Sequence, residues 1–175
     1  MAEALSPSQG APPWLPDPTV LFTVAGLAGI AVSVTGNETT QRWGRGRVVT
    51  VAMSTAAALS LLTGWSAGAP AVLAALLVVL WNAAIYFDSS ALTAGTVQAA
   101  DRELRGATMG LHSMCGYAGG FIGPLGVGLV LDLVGSSQGW GVAFGHLALI
   151  TLTGLFFLRR LGARSALQTL AATPG

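Results

Sequence analysis

The 175 residues contain no lysine, only 9% charged side chains and a single cysteine. A soluble domain carries about 25% charged residues because it must present a wetted surface. So large a shortfall excludes an ordinary water-soluble fold and points to lipid as the solvent over much of the surface. Cys115 has no second thiol with which to form a disulfide or share a zinc ion. The net charge is +1, and the eight basic residues, all arginine, fall into three small clusters. No continuous basic face results, which sets nucleic acid aside as a partner. No phosphate loop, paired catalytic carboxylates, metal-ligand spacing or nucleophilic triad is visible, so neither an enzyme nor a bound cofactor or metal is expected.

What is abundant is apolar sequence: 53% hydrophobic residues and 24 glycines. Five apolar runs fall at about 19–36, 48–63, 70–97, 108–134 and 142–158, each near the roughly 20 residues that a helix needs to cross a bilayer. None alternates polar with apolar residues, so a β-barrel is not supported, and backbone facing hydrocarbon must satisfy itself as helix. The expected fold is all-α, a polytopic membrane bundle of five helices. Residues 1–18, with five of the eight prolines, are expected to form a disordered tail, and 162–175 a cytoplasmic tail.

With five spans, the joints after the first and third and the C-terminal tail share one side. These segments hold every arginine: Arg42, Arg45 and Arg47, then Arg102 and Arg105, then Arg159, Arg160 and Arg164. That side is expected to be the cytoplasm of a cell-membrane protein whose N-terminus lies outside. Trp14, Trp65 and Trp140 fall at the opposite boundary, where amphipathic rings prefer to sit.

Several residues stand out as candidates for function. On the third span Asn82, Tyr86, Ser89, Thr93 and Thr96 share one stripe, with Asp88 on another face beside Trp81 and Gly95. Polar groups at membrane depth are costly and persist mainly where they line a cavity or find a partner, so this stripe, together with Asp88, is the candidate substrate-facing set. Asp88 has the alternative of sitting at the cytoplasmic interface. On the fourth span Gly116, Gly119, Gly120 and Gly123 lie within a narrow arc at about 100° per residue, a seam suited to close helix packing. Pro124 removes the hydrogen bond to the Gly120 carbonyl and is expected to loosen that turn. His112, one turn before Gly116, faces a neighbouring helix or a cavity, either as a proton relay with Asp88 or as a histidine satisfied by a backbone carbonyl.

The loop Arg42-Trp43-Gly44-Arg45-Gly46-Arg47 resembles the short cytoplasmic loops of the major facilitator superfamily, in which an aspartate precedes arginine, any residue, glycine and two basic residues. Arg42, Gly44 and Arg45 match, whereas Gln41 stands at the acid and Gly46 at the last basic position. The run from Asp101 through Arg105 and Gly106 to Gly110 looks like that family's loop between the tenth and eleventh helices, and Asp101 and Arg105 are spaced to pair. Tyr86-Phe87-Asp88-Ser89-Ser90 is similar to the tenth helix of some facilitator permeases, and the stretch from Gly119 through Pro124 to Gly126 to the glycine-proline motif of antiporters.

The resemblance implies the eighth to twelfth helices of a twelve-helix permease, with residues 1–18 in place of the seventh. It implies transport of a small solute by a truncated or split copy that needs the missing N-terminal helices or another membrane chain beside it in the lipid bilayer. Such permeases rock two halves about a midplane site. In that setting Arg42, Gly44, Arg45, Arg105 and Gly106 belong to the conformational loops. The competing class is a non-transporting scaffold or accessory subunit that associates through the glycine seam.

Overall fold

The computed structural model describes residues 18–171; residues 1–17, including Trp14 and nearly all of the expected disordered tail, and 172–175 lie outside the described residues. The described chain is all-α: α1 (Pro18–Trp43), α2 (Arg45–Trp65), α3 (Ala71–Ala99), α4 (Arg105–Val134) and α5 (Ser136–Ala171). All five are long and apolar enough to cross a membrane, over stretches of 21 to 30 residues.

The joints are tighter than the apolar runs suggest. The polar stretch 37–47 is helical except at Gly44, which adopts φ 85°. Its N–H donates to the Thr40 carbonyl at 3.1 Å and its carbonyl accepts from Val48 at 3.2 Å. Positive φ strains any residue with a Cβ, so glycine is the residue that allows a one-residue reversal. No proline interrupts 37–43, and Thr39 and Thr40 donate their hydroxyls back to the carbonyls of Thr35 and Asn37 (2.8 and 2.7 Å), so their polar groups are satisfied within the helix. Gly135, φ 80°, makes the same one-residue joint between α4 and α5. Between α2 and α3 the chain makes a 3-10 turn, Ser66–Gly68, and Pro70 then accepts the N–H groups of Leu73 and Ala74. At 101–104, where Asp101 and Arg105 were expected to pair, the backbone turns instead: Asp101 accepts the Glu103 N–H through its carboxylate at 3.2 Å, and no ion pair joins it to Arg105 among the described residues.

Small residues set the packing, as they must where no hydrophobic force acts between helices. α1 lies parallel to α3: Asn82 Nδ2 donates to the Ala25 carbonyl at 2.8 Å and Ser90 Oγ to the Ser33 carbonyl, both across 57 residues of sequence. A constant offset defines a parallel register. A Cβ on Gly29 would stand 2.8 Å from the Tyr86 ring, and one on Gly36 would overlap the Phe87 carbonyl oxygen. α2 lies antiparallel to α5, with Ser60 Oγ donating to the Phe144 carbonyl at 2.8 Å and Gly64 against Phe144 and the Trp140 backbone. The Trp81 ring from α3 meets Phe144 edge-on, centroids 5.1 Å apart, so α2, α3 and α5 converge on that side chain. The buried apolar core is mostly alanine, with Val48, Val49, Val78, Phe144 and Leu155. α4 is the outlier: it packs on α5, through Gly126 under the His146 ring, touches α3 lightly, and buries none of its residues.

Candidate functional site

The light contact between α3 and α4 leaves a cleft of about 640 Å³. From α3 it takes Ile85, Tyr86, Ser89 and Thr93, three of which belong to the polar stripe read from the sequence. From α4 it takes Met109, His112, Ser113, Gly116, Tyr117 and Gly120, so the histidine and half of the glycine seam meet the α3 stripe. Helical spacing brings this about, because residues three and four apart share a face. The Tyr86 ring packs on Gly29 of α1, and the residue also lines the cleft.

His112 holds the floor of the cleft towards the arginine-bearing end. Its Nε2 lies 3.4 Å from Thr93 Oγ1 and its Nδ1 3.5 Å from Thr96 Oγ1. Both threonines already donate their hydroxyl hydrogens to carbonyls one turn back, those of Ser89 and Leu92 at 3.0 Å. Each therefore turns lone pairs towards the ring, where a nitrogen that carries hydrogen can donate to them. These are long contacts that link α3 to α4 weakly. The backbone-satisfied histidine of the chain is His146, whose Nδ1 sits 3.1 Å from the Ala143 carbonyl.

Other expected site residues lie elsewhere. Asn82 spends its amide on α1 and does not line the cleft. Asp88 is half-buried on a different face of α3 and is likewise absent from the lining, so the structure does not bring it to His112 as a relay would need. On Asp88's own face, two turns along, Gly95 lies under the Arg45 side chain, whose atoms come within 3.0 to 3.2 Å of where a Cβ would be. Arg45 Nη2 donates to Gln98 Oε1 at 3.0 Å, while its Nε is buried without a hydrogen-bond partner among the described residues. The loop arginine thus clamps the start of α2 to the end of α3. Arg42 and Arg105 are exposed at the same end, and a Cβ on Gly106 would meet nothing.

The glycine seam of α4 was expected to meet a neighbouring helix. Within the described chain it meets none: a Cβ on Gly116, Gly119, Gly120 or Gly123 would find no atom within 4 Å. Pro124 lies inside an unbroken helix and, with Gly120 and Gly128, lines a shallow groove of about 540 Å³ that runs to Asp132. Sequence reasoning missed Ser113, Tyr117 and Asp132. The first two are four apart and so share a face beside Gly116, and an exposed acid inside an apolar run was a signal in itself.

Compared with known proteins, the chain matches no family model, no curated protein and no solved structure.

Proposed function

We propose that the chain is a transport protein of the major facilitator type, contributing the α3–α4 cleft as part of the path of a small solute. The observation that carries this reading is the meeting of Tyr86, Ser89, Thr93, His112 and Gly120 around one open space between two membrane-length helices. The one-residue joints at Gly44 and Gly135 support it, because they make α1–α2 and α4–α5 two similar hairpins of opposite direction, the inverted-repeat plan on which such permeases are built. In that plan a further helix covers α4 as α3 covers α1, supplied by sequence beyond this chain or by another membrane chain. The arginine-bearing end faces the cytoplasm of the cell membrane, with the start of α1 outside.

The test is uptake of a panel of isotope-labelled small metabolites into cells that express the chain natively, with whatever membrane chain covers α4, beside Gly120→Leu, whose Cβ meets no atom within 4 Å. Uptake of at least one solute that the variant abolishes is expected; identical profiles for wild type, variant and empty cells would overturn the transport reading. The bare glycine face favours a second reading, association without transport. Loss of association in Gly119→Ile and Gly120→Ile, with the uptake profile of the wild type equal to that of empty cells, would select it.

A further inference from the structure

The lining of the α3–α4 cleft carries information about what enters it. Five hydroxyl side chains line it: Thr93 donates to the Ser89 carbonyl, whereas the hydroxyls of Tyr86, Ser89, Ser113 and Tyr117 have no hydrogen-bond partner among the described residues. In contrast, most threonines of the bundle spend their hydroxyls on carbonyls of their own helix. A hydroxyl between membrane helices that stays unpaired carries a desolvation cost. Each can also donate and accept, so it can pair with a hydroxyl, a carbonyl or an amide.

Among the described residues no carboxylate and no guanidinium lines the cleft. Asp88 is on another face of α3, and Arg105 lies about two turns, roughly 10 Å, before His112 along α4. Asp132 is twelve residues beyond Gly120, about 18 Å by helix rise. The imidazole in the lining, His112, has both nitrogens turned to threonine oxygens. An ion entering here would leave water without a counter-charge, which at membrane depth costs several kcal/mol. The remaining lining is apolar and flat: Ile85, Met109, the two tyrosine rings, and bare backbone at Gly116 and Gly120. The volume of about 640 Å³ is in the range of small-molecule sites.

From these features, and resting on the transport reading, we infer that the cleft takes an uncharged amphipathic solute: an apolar ring or short-chain body that carries hydroxyl, carbonyl or amide groups. The apolar body lies against the glycine backbone and the tyrosine faces, and its polar groups take up the four free hydroxyls. Inorganic ions, carboxylates and amines are rejected.

Three naphthyl probes of matched size test this on the full chain in lipid nanodiscs at about neutral pH: 2-(1-naphthyl)ethanol, 1-naphthylacetate and 2-(1-naphthyl)ethylammonium. Binding is followed by ligand-observed NMR, and the signal that survives in Gly120→Leu is subtracted as partition into lipid. The alcohol is expected to bind saturably, at least about ten-fold tighter than either ion, and to weaken about three-fold or more in the double variant Ser113→Ala, Tyr117→Phe. That variant adds no bulk and guards against misfolding of the leucine variant, with helicity checked by circular dichroism. Tighter binding of either ion, still sensitive to Gly120→Leu, refutes the solute class and leaves transport standing. No variant-sensitive binding of any probe by a folded chain refutes the cleft as a solute site, and the uptake panel then judges transport by itself.

Discussion

Helices α1 and α4 are built on the same device and end in opposite situations. Each carries glycines along one face and leads through a single positive-φ glycine into the next helix. On α1 that face is filled: the Tyr86 ring sits at Gly29, the Phe87 carbonyl at Gly36, and side chains of α3 bond the carbonyls of Ala25 and Ser33. On α4 the corresponding face is bare from Gly116 to Gly123. Glycine on α1 is therefore a packing requirement of this chain, whereas glycine on α4 is left unpacked among the described residues. Small-residue seams read the same in sequence; only the neighbour distinguishes them.

The largest effect that separates the two faces is expected at Gly36. In Gly36→Ala the new Cβ would overlap backbone, which cannot swing aside, so α1 and α3 must part and the loss should reach or exceed the 1–3 kcal/mol of core overpacking, about. Unfolding in mixed detergent micelles measures it, and a variant as stable as wild type would break the comparison. Next come the polar ties: Ser90→Ala and Asn82→Ala each remove a hydrogen bond within the bundle and should cost about 0.6 to 1.7 kcal/mol in the same assay. The smallest and oppositely directed effect is expected on α4. Gly119→Ala meets no atom there and should stabilise the isolated chain by about 0.5–1 kcal/mol through helix propensity. A loss of 2 kcal/mol or more, about the size of a strained core, would show that the seam is already packed.

Much of the fold was legible because a bilayer fixes the length of its helices. All five apolar runs became helices, and the third continued past Phe87 to Ala99 as its small, proline-free sequence allows. Less legible were the ends. The stretch 37–43 looks like a loop by polarity, yet it contains no proline, its threonine hydroxyls are satisfied by the helix itself, and the helix runs up to Gly44. The site was legible in half. The periodicity of Tyr86, Ser89 and Thr93 placed them on one face, and His112 shares an arc with Gly116, but which faces meet is a tertiary fact. Asn82 belongs to the same stripe and was drawn away by the Ala25 carbonyl. Asp88 invites a functional role by its charge, and only the packing shows that it looks towards the face that Arg45 covers.

The difference between the two glycine faces is tested most directly by thiol accessibility in native membranes. With Cys115→Ser as background, Ser113→Cys and Ser33→Cys are compared for labelling by a membrane-impermeant maleimide. The account predicts rapid labelling at 113, in the cleft, and little at 33, where α1 is pressed against α3. Labelling at 33 with protection at 113 would contradict it.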